Sequence, residues 1–289
     1  MRWSERVIVL GMRVAVITDS TACLPAEMAA QWRLTVVPVQ IRIDGHLDLE
    51  SRVPRKMLID ALRAGRDVST EPPDPAALFW AYQAAAADGC DAIVSVHISG
   101  DLSQTYAHAK QAAERASIPV HVVDSRTTGM SLGYAATTAA RVAAAGGDPT
   151  RIIDALNRRL ADCSELLYVD TLEFLRRGGR IGVTASLIGS ALSLKPLLAM
   201  KDGEVAPLEK VLGGGRAVRK LIDTAVRRID GRAVDLAVGH VGAPEQAQAM
   251  LDALLPRVPQ ARQSVIIEGS SALAVHLGPG ALNISISPV

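Results

Sequence analysis

The chain has 289 residues, of which 49% are hydrophobic and 21% charged, so it can bury the core of one large or two smaller domains and is not a disordered chain. Its formal net charge of +1 gives no bulk attraction to nucleic acid or to an anionic membrane surface, and its 3% aromatic content argues against base-stacking platforms. Three cysteines without a C-x-x-C pair suit a reducing compartment.

The N-terminus contains two short apolar segments, and neither has the form of a cleavable signal peptide. The sequence contains no run of about 18 uncharged apolar residues, so it predicts no membrane-spanning helix. We therefore expect a cytoplasmic protein without stable membrane insertion. Its residues 1–11 are expected to form an extension before a folded region that begins near Met12.

The first half of the chain alternates short β-branched segments with alanine-rich segments of helical length. The predicted strands are RVAVITDS, LTVVPVQIRI, DAIVSVHIS and PVHVVDS, and the predicted helices are PAALFWAYQAAAADG, SQTYAHAKQAAERA and SLGYAATTAARVAAAGG. This alternation predicts parallel βαβ units. Several strands end in polar residues, and ligands of open α/β sheets bind beyond the carboxyl ends of strands. The same residue types also cap helices, so each polar cluster has an ordinary structural alternative.

The character of the sequence changes after AAAGGDPT, which predicts a domain boundary between residues 150 and 165. A basic Gly-Gly turn, a helix of small residues and a KDGEV hairpin turn are predicted beyond it, and the glycines of VLGGGRAV are expected in a flexible loop. The later predicted strands are LLYVD, DLAVGHV and SVIIEG. We expect two α/β domains, residues 12–160 and residues 161–289.

Several motifs of common enzymes are absent from the sequence. It has no phosphate-binding G-x-x-x-x-G-K-[ST] loop, no H-E-x-x-H or other zinc-spaced ligand set, and no G-x-S-x-G nucleophile elbow. We therefore expect neither a cofactor nor a metal ion.

Six segments resemble, in the same order, the motifs of one protein family. They are VITDSTACLP, VHISGDLSQTYAHA, VVDSRTTGMSLGY, the long block that begins LEFLRRGGRIG, VGHVGAPEQA and VHLGPGALNI. Together they resemble the DegV family, the fatty acid-binding subunits of bacterial fatty acid kinase, over about residues 13–286.

The resemblance implies a parallel-sheet α/β domain followed by a mixed-sheet α/β domain, with a ligand tunnel between them. A long-chain fatty acid such as palmitate or oleate would lie in the tunnel, for which ASLIGSALSLKPLLAM is the expected lining. A separate ATP-dependent fatty acid kinase subunit would phosphorylate the carboxyl group. The chain itself would then be a non-catalytic lipid-binding subunit.

The resemblance also implies which residues bind the fatty acid carboxylate. Thr70 aligns with the family's carboxylate-binding threonine, with Ser69 as the alternative. Glu71 departs from the family's serine and would repel a bound carboxylate, so either it points away or the local geometry differs. Ser103 aligns with a second ligand, and its expected place at a helix start favours an anion. His276, in HLGPG, aligns with the histidine that closes on the carboxyl group, to which one ring N–H can donate.

Arg180 aligns with the arginine of the family's G-G-R-I segment. Its guanidinium would bind the carboxylate or acyl phosphate bidentately, or would face the kinase subunit. Around the same head group this chain departs from the family, because Gly100, Gln104 and Leu277 replace a serine, a glycine and a threonine.

Two alternative functions stay open on the sequence alone. One is a hydrolase of lipid esters in which Ser103 and His276, with Asp124, form a nucleophile and base. The other is a binding module for another small amphiphilic acid, since a fold alone does not determine its ligand.

Overall fold

The structure, a computed structural model, describes residues 12–181 and 194–289, so the predicted N-terminal extension and the tunnel-lining segment up to residue 193 lie outside the described residues. The strands in chain order are β1 (Val14–Asp19), β2 (Thr35–Val37), β3 (Gln40–Ile43), β4 (His46–Leu49), β5 (Val68–Glu71), β6 (Ala92–His97), β7 (Val120–Asp124), β8 (Ser164–Tyr168), β9 (Leu194–Lys201), β10 (Glu204–Leu212), β11 (Val234–His240), β12 (Ala261–Glu268) and β13 (Leu282–Pro288). The helices are α1 (Ala26–Gln31), α2 (Arg55–Arg63), α3 (Pro75–Ala87), α4 (Thr105–Ala113), α5 (Gly129–Ala144), α6 (Pro149–Ala161), α7 (Glu173–Arg177), α8 (Gly214–Ile229), α9 (Pro244–Leu254) and α10 (Ser271–Leu277).

The first sheet is parallel, as the alternation of strands and helices predicts. Its strand order is β2-β1-β6-β7, and every neighbouring pair runs in the same direction. Alternate side chains of its strands face opposite sides, so that Ile17 and Ile93 pack with α3 and α4, while Val16 and Val94 pack with α5. Both faces are therefore covered, and this explains why the strands are apolar throughout.

The segment LTVVPVQIRI was predicted as one strand, and that prediction is wrong. It forms β2 in the parallel sheet and β3 in a separate antiparallel sheet of order β4-β3-β5. Pro38 lies between them and has no amide hydrogen for a strand ladder. The amide of Val39 donates instead to Ser20 Oγ at 3.1 Å. The small sheet places β5 beside α10, and these two elements carry Thr70 and His276.

The second large sheet is mixed, in agreement with the expected fold. Its order is β10-β9-β8-β13-β11-β12; β11 and β12 are parallel, and the other pairs are antiparallel. The predicted KDGEV turn joins β9 to β10, with Asp202 and Gly203 both in the left-handed region. The loop expected at VLGGGRAV is wrong in part, because α8 begins at Gly214.

Helix α5 lies between the two large sheets and contacts strands of both. Its first twelve positions are almost all buried and rich in glycine, alanine, serine and threonine, which lets both sheets approach the helix closely. One apolar core cluster therefore runs from the parallel sheet through α5 to the mixed sheet. Within the described ranges, no helix combines the length and the apolar character needed to cross a membrane.

Candidate ligand-binding pocket

A pocket lies where the carboxyl end of the parallel sheet meets the mixed sheet and α10. It encloses about 680 Å³ of empty space, its open mouth included. Its walls are mainly apolar and include Ile98, Leu102, Leu167, Leu175, Val205 and Leu273. The four residues expected at the head group, Thr70, Ser103, Arg180 and His276, all line this pocket.

Thr70 and His276 form the most direct contact among the expected head-group residues. Thr70 Oγ1 lies 2.8 Å from His276 Nε2, although 206 positions separate the two residues in the chain. Ser69, the alternative to Thr70, is exposed and points to the other face of β5. The structure therefore brings Thr70 rather than Ser69 to the histidine. The histidine lies in the last turn of α10.

The second ring nitrogen of His276 is buried and has no hydrogen-bond partner among the described residues. Gly178 packs against it so closely that a Cβ added there would lie 2.2 Å from Nδ1. Burial, and then the charge of Arg180, lower the pKa of His276 from 6.5 to about 4. The imidazole is therefore neutral at pH 7 and carries one N–H, so one ring nitrogen donates and the other accepts.

Ser103 lies in the loop between β6 and α4, two residues before the helix that it was expected to open. Its Oγ accepts a hydrogen bond from Thr105 N at 3.2 Å and lies 2.8 Å from Thr105 Oγ1. The Ser103 amide donates to Ser99 O at 3.1 Å, which fixes the loop. The hydroxyl is thus held at the N-terminal end of α4, where the unpaired amides of the first turn favour an anion.

Arg180 follows α7 and reaches back to the loop that carries Ser103. Its Nε donates to Leu102 O at 2.9 Å, and its Nη1 donates to Gly178 O. No acidic side chain within the described ranges forms an ion pair with it. Partial burial lowers the pKa of this guanidinium, which nevertheless stays protonated at pH 7.

The negative charge of Glu71, which departs from the family pattern, is compensated by an arginine of the neighbouring strand β3. Arg42 on β3 donates to Glu71 Oε1 through both Nε and Nη2. Glu71 and Ser69 share one face of β5, opposite to Thr70, because side chains alternate along a strand. Glu71 therefore points away from Thr70 along β5, as expected, but it also lines the pocket, where Arg42 compensates its charge.

The hydrolase alternative finds no support in the geometry. Asp124 accepts hydrogen bonds from the amides of Gly100 and Arg126, and Ser103 is bonded to Thr105. His276 is bonded to Thr70, so the hydrogen bonds of the described residues do not join Ser103, His276 and Asp124 into the nucleophile–base–carboxylate set that this hydrolase would require.

A buried polar network at the ends of two strands supports the end of the pocket. Ser95 Oγ lies 2.7 Å from His97 Nε2, and His97 Nδ1 lies 3.0 Å from Asp19 Oδ2. All three side chains are fully buried, so they cannot meet a substrate. Asp19 also accepts from the amides of Thr21 and Ile98, two pocket residues, and this network therefore fixes the ends of β1 and β6.

A second, polar concavity adjoins the apolar pocket on its outer side. It encloses about 1050 Å³ of empty space, open solvent included, and we call it the outer basin. Thr70, Arg180 and His276 line both spaces, and the outer basin adds Arg66 and Arg177. The residues that line both spaces therefore form the wall between an apolar interior and a polar exterior.

The fold and the pocket define an α/β protein in which a parallel and a mixed sheet enclose an apolar pocket with a polar cluster at its wall. The DegV family model matches residues 13–289, and the chain belongs to the DegV family. A DegV domain-containing protein of Streptomyces coelicolor is 40% identical over 279 residues, which cover 96% of this chain and 99% of that protein.

Solved structures of DegV proteins have the same fold. A DegV family protein from Thermus thermophilus, described by its fatty acid binding, aligns with a TM-score of 0.90 and 27% identity, covering 96% of this chain and 100% of that one. DegV from Bacillus subtilis, described as a fatty acid binding protein, aligns with a TM-score of 0.87, 27% identity and the same coverage. The resemblance and the α/β fold expected from the sequence are thus confirmed.

Proposed function

We propose that this chain binds one long-chain fatty acid, with its carboxylate at Thr70, Ser103 and His276 and its acyl chain in the apolar pocket. The observation that carries the proposal is the convergence of these residues, distant in sequence, on one apolar pocket. Two DegV structures described as fatty acid binding, each 27% identical to this chain, support it. Each buried methylene of the ligand would contribute about 0.8 kcal/mol, so the acyl chain supplies most of the affinity.

Arg180 supplies the positive charge that a carboxylate needs. It has no acidic partner within the described ranges, and it adjoins both Leu102 and His276. His276 is neutral at pH 7 and donates at most one hydrogen bond to the ligand. A carboxylate would therefore be bound by one cation and several neutral donors, which orients it without a second buried charge.

The proposed role in the cell is that of a non-catalytic lipid-binding subunit. We assign residues 12–160 and 161–289 to two domains with the ligand tunnel between them. A separate ATP-dependent fatty acid kinase subunit would approach through the outer basin, whose wall contains Thr70, Arg180 and His276, and would phosphorylate the carboxyl group there. Arg66 and Arg177, which also line the basin, are paired with the acidic residues Asp44 and Glu173. Arg180, without an acidic partner within the described ranges, is therefore the cation that favours the approach of anionic groups.

Native mass spectrometry of the purified protein tests the binding proposal directly. We expect one fatty acid per chain, released and identified after denaturation. A protein without ligand that also takes up neither palmitate nor oleate would contradict the proposal. Release of a different amphiphilic acid would instead identify this chain as a binding module for that acid.

Variants locate the head group within the pocket. Thr70→Ala, Ser103→Ala and His276→Ala should each weaken palmitate binding by about tenfold, since each removes one hydrogen bond to a charged group. Ser117→Ala is the matched control, because this exposed serine bonds only to Gln83 far from the pocket. Unchanged palmitate affinity in all three variants would show that the carboxylate binds elsewhere.

The kinase step has its own test. The loaded protein is mixed with ATP and the ATP-binding subunit of a bacterial fatty acid kinase, and acyl phosphate is trapped with hydroxylamine. We expect acyl phosphate with both proteins present and none with either alone. Acyl phosphate from this chain and ATP alone would contradict a non-catalytic role.

A further inference from the structure

The turn between β9 and β10 extends from the mixed sheet to the loop that carries Ser103. Gly203 in this turn has a φ of +88°, and a Cβ at that position would lie 2.6 Å from Asp101 Oδ2 and 2.9 Å from Ser99 Oγ. No side chain fits there, so the turn is docked against this loop by direct backbone contact. The turn belongs to the mixed sheet, whereas Ser99 follows β6 of the parallel sheet.

Two side chains hold the turn in place. Ser99 Oγ, fully buried, donates to Gly203 O at 2.6 Å. Arg126 Nη2 donates to Asp202 O and also lies 3.2 Å from the carboxylate of Asp101. Arg126 therefore joins the turn to the loop before α4 with one side chain, and its own backbone has a φ of 52°.

The docked loop connects directly to the head-group residues. Ser99 O accepts hydrogen bonds from the amides of Leu102 and Ser103, at 3.0 and 3.1 Å. Leu102 O in turn accepts from Arg180 Nε at 2.9 Å. A displacement of the loop would therefore move the Ser103 hydroxyl and the Arg180 guanidinium together.

Strand β10, which follows the turn, also contributes to the pocket. Val205, two residues after Gly203, lines the apolar pocket and forms a parallel bridge with Ile181, the neighbour of Arg180. The turn thus supports Arg180 from its own strand and Ser103 through Ser99. It is the point at which the mixed sheet fixes two head-group residues from different parts of the chain.

We propose that Arg126 is a positioning residue for the carboxylate site, which it organises by clamping the β9–β10 turn onto the 99–103 loop. This inference rests on the proposed fatty acid binding and names a residue that does not touch the ligand. The apolar walls from α7 and α10 do not touch the clamp, whereas Leu102 and Val205 adjoin it, so we expect the larger effect of Arg126 at the head group.

Arg126→Ala tests the proposal with two ligands of equal chain length. We expect the affinity for palmitate to fall by about fivefold to tenfold, a typical effect of losing a coupled support. The affinity for hexadecanol, which has no carboxylate, should fall less than the affinity for palmitate. In a Ser103→Ala background the effect of Arg126→Ala on palmitate affinity should shrink, because both changes disturb the same contact.

Two further variants control for the general effect of losing an exposed ion pair and for misfolding of the alanine variant. Arg257→Ala removes an equally exposed ion pair, with Asp223, far from the pocket and should change neither affinity. Arg126→Asn replaces Arg126→Ala if the alanine variant does not fold, because asparagine tolerates left-handed backbone.

The outcomes separate this inference from the proposed function. A wild-type protein that binds no fatty acid would overturn the proposed function and this inference with it. A wild-type protein that binds palmitate, beside an Arg126 variant with unchanged palmitate affinity, would overturn the inference alone. Equal losses for palmitate and hexadecanol would also overturn it, because they indicate a general structural role.

Discussion

At the proposed head-group site, few side chains carry charge. Among the described residues that line the apolar pocket, Glu71 and Arg180 are charged at pH 7, and Glu71 is paired with Arg42. His276 is kept neutral by burial and by Arg180. The pocket wall therefore has one cation without an acidic partner within the described ranges, and this asymmetry favours an anion over a neutral or cationic ligand.

Because Glu71 is ion-paired and Arg180 has no acidic partner within the described ranges, substitutions of the two residues should affect palmitate binding differently. Glu71→Gln should change palmitate affinity by less than about twofold, since its charge is compensated by Arg42 on a partly exposed face of β5. Arg180→Ala should weaken palmitate binding by more than about tenfold, because it removes the unpaired cation. Isothermal titration with palmitate measures both, and a large gain in affinity for Glu71→Gln would show that its charge acts on the ligand.

Contacts between short elements set the position of the histidine. Helix α7 and the following Gly178 pack on α10, and the absent side chain of Gly178 leaves just enough space for the imidazole. The φ of this glycine is not in the left-handed region, so the requirement is one of space and not of backbone conformation.

Gly178→Ala should therefore displace the His276 ring and break its contact with Thr70. We expect palmitate affinity to fall by about tenfold or more, since the added methyl would overlap Nδ1. Gly215→Ala is the matched control, because its Cβ would meet just one distant atom, in Arg219 at 3.8 Å. A normal affinity and an unshifted imidazole NMR signal in Gly178→Ala would contradict this account.

Elements were predictable from the sequence where local pattern determines them. The buried apolar segments and alanine-rich helices are local features, and they predict the parallel sheet and α3, α4 and α5. The boundary between β2 and β3 was missed although Pro38 marks it, because apolar residues continue on both sides.

The site was predictable from the sequence in part. A family motif points to Thr70 and His276 one at a time, but their contact depends on how β5 and α10 pack. The pairing of Glu71 with Arg42 depends on the register of β3 and β5. Such partners are set by tertiary structure, which no local pattern encodes.

A buried ion pair joins helix α6 to the mixed sheet. Arg159 on α6 contacts Asp235 on β11, and their side chains are 9% and 3% exposed. Its Nε also donates to Ser287 Oγ at 2.6 Å. A nearby hydrogen bond, from Tyr134 Oη to Leu236 O at 2.6 Å, joins α5 to the same strand.

Removing the buried arginine should destabilise the whole molecule. Arg159→Ala leaves Asp235 buried with the more exposed Arg262 as its remaining ionic partner, so we expect the free energy of unfolding to fall by about 3 kcal/mol. Arg257→Ala, which breaks an exposed pair with Asp223, should lower it by less than about 1 kcal/mol. Urea denaturation compares the two, and equal effects would show that the buried pair has no special role.

A buried carboxylate at the junction of α5 and the mixed sheet gives stability an unusual dependence on pH. Glu165 is 1% exposed and accepts hydrogen bonds from Ser131, Asn283 and Ser285. Burial raises its pKa from 4.5 to about 7 despite these donors. Between pH 7 and pH 4.5 the folded chain therefore binds a proton that the unfolded chain lacks, and Glu165 makes stability rise as pH falls.

The titration of His276 changes stability in the opposite direction over an overlapping pH range. Its pKa is about 4 in the folded chain against 6.5 unfolded, so the unfolded chain binds the extra proton and stability falls as pH is lowered from 6.5 to 4. The two contributions offset each other between pH 6.5 and 4.5.

Glu165→Gln should remove the stability that Glu165 gains on protonation, so the free energy of unfolding should fall more steeply toward pH 4.5 than in the wild type. His276→Gln should make it fall less steeply. Urea denaturation from pH 4.5 to 8 measures these slopes, and subtracting the wild-type curve cancels the other carboxylates. Parallel curves for Glu165→Gln and wild type would mean that Glu165 titrates alike in both states, and that the buried junction holds a charge at little cost.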